Sequence, residues 1–178
     1  MDSSIVHLLR SIGSPFITDN NIAKVRYYTK DYSKARANKI PLTYLSKVST
    51  DTRQGLAEYH YHSHRLSRLL EITANISRLF NEEGLKYVVF KTLRPFPEYV
   101  SDIDVLGIGA QSNYAKIKKI LVRNNFLFME KGAYCTTFKD FKTNFATEVM
   151  IDVYDEISVN RLIYLDKRTL NECIINRQ

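Results

Sequence analysis

Residues 85–108 read LKYVVFKTLRPFPEYVSDIDVLGI. Within this stretch the hydrophobic period changes from helical to extended, and the rest of the chain sorts itself to either side. Two apolar runs, 85–91 and 102–108, have the length and the β-branched content of buried strands. Between them Pro95 and Pro97 each remove a backbone donor, so the joining segment is irregular. Gly84, immediately ahead, can adopt the left-handed conformation that stops a helix.

Before Gly84 the apolar residues recur at three and four, the helical spacing. Ser3 or Ser4 can cap a short first helix that Gly13 and Pro15 end, and Thr18 or Asp19 a second that runs to about residue 38. A further helical stretch starts near Pro41, and a long helix covers about 51–83. On a wheel at ~100° per residue its Tyr59, His62, Leu66, Leu69, Leu70, Thr73, Ile76 and Phe80 share one sector, the expected buried stripe. His60 and His64 lie together on another face, with Glu71. Two imidazoles one turn apart can share a zinc ion, but no third and fourth ligands are apparent, so they read as solvated.

After residue 108 the spacing of Tyr114, Ile117, Ile120 and Leu121 predicts an amphipathic helix over 111–124. Strands follow near 126–130, 134–140 and 146–154, with a last helix over 158–174. The plan is α/β (α+β): a mixed sheet flanked by helices, with a helical N-terminal region, 1–83, packed on a core, 84–178, as one compact domain.

Composition limits the alternatives. A chain of 178 residues buries about 70% of its unfolded surface, enough for one core. Hydrophobic residues at 44% and charged residues at 25% exclude disordered and collagen-like classes. No apolar run approaches the ~20 residues of a membrane helix, and MDSSIVHLLR lacks the order of a secretory leader. The expectation is a soluble cytoplasmic protein without a membrane partner, with Cys135 and Cys173 as packing residues in a reducing compartment.

The net charge is +7, and it is uneven. Residues 1–80 carry 12 Lys and Arg against 6 acids, whereas 81–178 carry 14 against 13. The segment from Lys24 to Arg53 holds eight of these cations against Asp31 and Asp51, interleaved with Tyr27, Tyr28 and Tyr32. Such a surface can track an RNA backbone while tyrosines stack on bases. It also reads as a solvated helix face with its tyrosines in the core.

The chemistry-bearing residues are in SDIDVLG. In a strand, Asp102 and Asp104 point to one face, about 7 Å apart at the backbone, while Ile103 and Val105 bury the other. At ~5 Å between oxygens and a dielectric of about 20, the two charges repel by roughly 3 kcal/mol. A divalent cation offsets that best, because hard cations take carboxylate and phosphate oxygens together. EVMIDVYDE supplies a third acid, Asp152, embedded in a buried-strand pattern. Glu148 shares its parity and is the second choice, while Asp155 and Glu156 read as the solvated strand end.

FKTLRPFPEYVSDIDVL followed by MIDVY resembles the polymerase-beta type of nucleotidyltransferase superfamily, especially its small uncharacterised members. Those proteins carry a strand, a short Gly-Ser or Lys-Gly turn, an Asp-x-Asp pair about ten residues on, and a third acid on a later strand. Here Thr92 precedes Asp102 by ten residues, and the resemblance covers 85–156. It implies a nucleoside triphosphate substrate, Mg²⁺ or Mn²⁺ on Asp102, Asp104 and Asp152, and transfer of the nucleoside monophosphate to a hydroxyl of RNA, protein or a small molecule. It also implies nucleotide contacts from Lys91, Thr92, Arg94 and Ser101. One departure stands out: Lys91 and Thr92 occupy a turn that normally contains glycine. A degenerate fold that binds RNA or a protein partner is the alternative. A metal-free hydrolase with Asp102 and Asp152 as acid and base is a third.

Overall fold

The computed structural model describes residues 8, 25–49, 52–94, 96–109, 111–140, 148–159 and 162–165. They form two compact units, one from residues 1–67 with 94–99, the other from 68–93 with 100–178. The division falls inside the long helix, between Ser67 and Arg68, whereas the change of period falls at Gly84.

In the first unit, β1 (Val25–Arg26) pairs in parallel with β2 (Val48–Ser49). Between them lie α1 (Thr29–Ala37) and the short α2 (Pro41–Leu45). Of the helix expected from residue 18 or 19, the part before Val25 lies outside the described residues, Val25–Arg26 is a strand instead, and the helix runs from Thr29, with Tyr28 in an extended conformation at its N-cap. Val25 is β-branched and prefers the pleated partner that Val48 offers. The expected helix over 3–13 lies outside the described residues except for Leu8, which joins Tyr27, Tyr32, Ala35, Tyr44, Leu45 and Val48 in one apolar cluster. Residues 94–99 return to this unit, where Glu98 is buried and accepts the Thr43 backbone N–H at 2.6 Å. That bond satisfies one of the orphan donors at the start of α2.

The long helix, α3 (Arg53–Glu82), ends where Gly84 takes φ +63°, a conformation that costs a side chain about 1–2 kcal/mol. Besides Gly55, its buried residues are His62, Leu69, Ile72, Thr73, Ile76 and Phe80. Leu70 departs from the expected stripe, being 46% exposed. It sits at the sector's edge, one position from Leu69, and Ile72 is buried instead. His60 and His64 are exposed, and they join no third metal-ligating residue among the described residues.

The second unit is built on a five-stranded sheet with strands β3 (Tyr87–Phe90), β4 (Asp102–Gly107), β5 (Phe126–Lys131), β6 (Cys135–Asp140) and β7 (Met150–Tyr154), in the order β3-β4-β7-β6-β5. Only the β4–β7 pair is parallel. One face carries Ile103, Val105, Ile151, Val153, Thr136 and Phe138, and α4 (Gln111–Arg123) packs on it through Ile117, Ile120 and Leu121. Gly107 permits this approach, because a Cβ there would meet the Tyr114 backbone nitrogen at 3.3 Å. Tyr87 lies on the same face and meets Phe80 of α3 edge-on, with ring centroids 5.1 Å apart.

The sheet's opposite face is apolar at one end, where Leu106, Ile108 and Ile157 cluster with Val88, Phe90 and Tyr154. Ile157 begins β8 (Ile157–Val159), which pairs antiparallel with β9 (Leu162–Leu165). A hairpin thus replaces the first part of the helix expected over 158–174. Ile157, Val159, Ile163 and Tyr164 are β-branched or aromatic, and pairing outweighs the helical spacing of their apolar positions. The remainder of that helix, with Cys173, lies outside the described residues. Among the described residues, no helix is long and apolar enough to cross a membrane.

Candidate functional site

Strand register assembles the acids. Asp104 of β4 stands directly beside Asp152 of β7, and Asp102 beside Met150. Side chains alternate along a strand, so Asp102, Asp104 and Asp152 all project from the face opposite α4. Their carboxylates offer oxygens that lie within 4.8 Å of one another. Asp104 is buried and the other two are half-buried.

The surroundings oppose so much negative charge. Burial pushes the Asp104 carboxyl up, and the neighbouring Asp102 charge pushes it further, while the Tyr154 hydroxyl bond and the Lys91 charge pull it back. Asp152 is raised by burial, then by Asp102 and Glu130, against the stabilising hydrogen bond from Thr137. That bond is short, with the Thr137 hydroxyl donating to Asp152 Oδ1 at 2.6 Å. Both carboxyls gain more from a bound cation than ordinary surface acids would, since the cation offsets the burial and the repulsion that raise them. The donor set is all oxygen, which suits Mg²⁺ or Mn²⁺.

The other expected contacts are arranged differently. Lys91 follows β3 directly with φ +59°, a left-handed conformation that favours glycine. Its ammonium lies over the Phe90 ring, 5.1 Å from the centroid, and its charge eases the Asp104 carboxyl. Thr92 is 0% exposed, and its hydroxyl accepts the Asp104 N–H at 2.9 Å while donating to the Phe90 carbonyl at 3.2 Å. It clamps the Asp-x-Asp strand to β3 and has no surface to present to a phosphate. Ser101 is exposed and donates to Asp102 Oδ1 at 2.9 Å, orienting that carboxylate. Arg94 belongs to the first unit, where it donates to the Lys39 carbonyl at 3.3 Å and lies over the Phe96 ring.

Glu148, the second choice for the third acid, is ion-paired with Lys139 and does not join the cluster. Asp155 and Glu156 are half-buried in the bend between β7 and β8 rather than fully solvated. The tyrosines of the basic segment are largely withdrawn: Tyr27 and Tyr32 are buried in the apolar cluster, and Tyr28 alone of the three is exposed. Their hydrophobic rings gain more from the core than from solvent, so a tyrosine stacking platform is not what this segment builds.

Sequence reasoning overlooked Thr137, Tyr154 and Glu130. Tyr154 has the parity of Asp152, and the polar alternation of CTTFKD marks Thr137, so both signals were present. Glu130 had no such signal. A bulge between Phe128 and Glu130 shifts the register of β5 and sets Glu130 opposite Thr137, in the row that contains Asp152. Cys135 lies on this face too, half-buried, with its thiol pushed up to about 12 by burial first and Asp152 second. A thiol so raised carries little thiolate at neutral pH. No protein-family model matches this chain, and neither the curated proteins nor the solved structures contain a match to it.

Proposed function

We propose that this chain is a metal-dependent nucleotidyltransferase, which moves a nucleoside monophosphate from a nucleoside triphosphate to an acceptor hydroxyl and releases pyrophosphate. The reading is supported above all by three carboxylates from two adjacent parallel strands offering oxygens within 4.8 Å of one another. When bound, Mg²⁺ or Mn²⁺ would neutralise the phosphates and stabilise charge that develops on the transferring group.

The chain's own residues divide the remaining work. Asp102 and Asp104 hold the cation, with Ser101 and Tyr154 fixing the directions of their oxygens. Asp152 takes the acceptor's proton, a role for which a raised carboxyl is better matched than an ordinary one. Lys91 offers a positive charge to the triphosphate from the turn after β3. The first unit, taken by itself, exposes Lys30, Arg36, Lys39, Lys47 and Arg53, a charge set suited to RNA phosphates with little base stacking.

The turn favours a second reading. It has no glycine, and its threonine is committed to Asp104, which leaves the triphosphate fewer donors than in relatives of this type. A degenerate fold acting as an RNA- or protein-binding module fits that feature. Incubation with each of the four labelled nucleoside triphosphates, Mg²⁺ or Mn²⁺ and a total RNA pool tests both. Label transfer by the wild type that disappears in Asp104→Asn is the expected result. Equal transfer by the variant overturns the enzymatic reading, and RNA binding that survives chelation, with no metal-dependent nucleotide binding, replaces it by the second.

A further inference from the structure

On the other face of the same sheet, the bulge in β5 has a second effect. In a regular strand Phe128 and Lys131, three apart, would project to opposite faces. The shifted register instead sets Phe128 opposite Phe138 and Lys131 opposite Thr136, and both partners belong to the α4 side. The same irregularity sends Glu130 to the acid face. One extra residue therefore sorts charge, with the cation to one side and the acid to the other. Bulges are retained features that re-aim side chains, often beside functional sites.

The cation arrives at a cavity of about 550 Å³ between α4 and the β5–β6 edge. Val122, Phe128 and Phe138 give it an apolar wall, and Lys118, Lys119 and Lys131 supply positive charge around it. Val122 and Phe128 are each 57% exposed, so large apolar surface faces solvent there. Arg123, also at the cavity, is paired with Glu83, whereas no carboxylate pairs with these three lysines among the described residues. Among the described residues, the one hydroxyl in the lining, on Thr136, is already engaged with the Tyr114 hydroxyl at 2.6 Å.

We infer that this cavity binds a small amphipathic anion, a hydrocarbon body with a carboxylate or phosphate head. The volume lies in the range of small-molecule pockets, roughly 300–1,000 Å³. Val122, Phe128 and Phe138 offer no side-chain hydrogen-bonding group, so this wall selects hydrocarbon. The lysines select the anionic head by charge complementarity, and their separate positions on α4 and β5 let the head sit at the mouth while the body lies on the phenylalanines. This site is on the sheet face away from Asp102, Asp104 and Asp152 and does not depend on the proposed transfer reaction.

Calorimetric titration with decyl phosphate and decanoate below their micelle concentrations tests the inference, with decanol and decyltrimethylammonium as neutral and cationic counterparts. Saturable binding of the two anions is expected, weakened by about tenfold or more in Lys118→Glu/Lys131→Glu and in Val122→Asp. These substitutions fall on exposed or half-exposed positions, and circular dichroism verifies that the variants remain folded. Asp104→Asn and chelation should leave the affinity unchanged. Equal binding of decanol, or the same affinity in the pocket variants, overturns the inference. So does retention on anionic vesicles without binding of the monomeric anions, which would identify a membrane surface as the source of the head group.

Discussion

His62 and the Asp102–Asp104–Asp152 trio are both polar groups taken out of water, yet their accounts close in opposite ways. His62, in the first unit, is 2% exposed and has a partner on each ring nitrogen. The Tyr32 hydroxyl donates to Glu58 at 2.6 Å, so it must accept from His62 Nε2–H at 2.7 Å. Nδ1 then accepts from the Tyr99 hydroxyl at 3.0 Å. Burial lowers the imidazole's pKa, and the neutral ring satisfies the network. The trio, in the second unit, has hydrogen bonds but no such closure, because like charges remain within 4.8 Å. A closed network specifies a fold, whereas an uncompensated one is a candidate ligand site.

The largest test of that contrast is the loss of one acid. Asp102→Asn or Asp104→Asn should reduce nucleotidyl transfer by more than the ~100-fold that loss of an outer-shell partner costs. The same variants should unfold at an equal or higher temperature, since each removes repulsion of about 3 kcal/mol per pair at a surface-like dielectric. A drop in melting temperature alongside the lost activity would show that the acids support the fold. His62→Ala should behave oppositely and destabilise by about 2–4 kcal/mol, through a cavity and orphaned hydroxyls. Denaturant unfolding of the two variants side by side gives both signs in one experiment.

Next in size is the pH dependence, which should differ in sign. Asp104 and Asp152 have folded pKa values above the ordinary 3.8. Their folded state holds protons more tightly, so stability is full below 3.8 and declines as pH rises through the folded values. His62 is lowered from 6.5, so its contribution is present above 6.5 and declines as pH falls towards the folded value. Bound Mg²⁺ or Mn²⁺ should cancel the first decline, by about 2.7 kcal/mol when the cation is at 100 times its dissociation constant. Thermal shifts with cation should therefore be larger at pH 7.5 than at pH 5, and should vanish in Asp104→Asn/Asp152→Asn. A shift that is the same at both pH values would place the cation elsewhere.

Thr92→Val should cost about 1–2 kcal/mol, because it keeps the shape and leaves the buried Asp104 N–H without an acceptor. Thr92→Ser should restore most of it. A Val variant as stable as the wild type would show that the clamp contributes nothing to holding the Asp-x-Asp strand.

The two regions also differ in how far the chain reveals them. The acids are legible because a charge inside an alternating apolar run is costly and therefore conspicuous, as with Asp104 between Ile103 and Val105. Parity assigns their shared face, but neighbouring strands are a tertiary matter, and the pairing of Asp104 with Asp152 depends on a parallel register that no local pattern encodes. The hydroxyls of Tyr32 and Tyr99, brought to His62 from 30 and 37 positions away, are equally nonlocal. Glu130 and Lys131 are hidden for another reason: one bulge inverts their faces. The hairpin at residues 157–165 shows pairing overriding a helical spacing that short apolar runs cannot distinguish.

The smallest expected effect concerns Lys91 and sharpens the contrast at the level of one backbone angle. A lysine at φ +59° carries strain of about 1–2 kcal/mol, which glycine would relieve. Glycine also releases more entropy in the unfolded chain, a loss of roughly 0.5–1 kcal/mol. The two nearly cancel, so Lys91→Gly should change stability by less than about 1 kcal/mol while removing a charge that eases the Asp104 carboxyl. If the turn exists to hold a triphosphate, metal-dependent nucleotide affinity should fall in Lys91→Gly and recover in Lys91→Arg, although arginine restores the strain. Should glycine instead raise the affinity, close backbone approach rather than the lysine charge governs the turn. Binding curves for the three proteins at one Mg²⁺ concentration distinguish charge from backbone, because only the charge account ranks arginine above glycine.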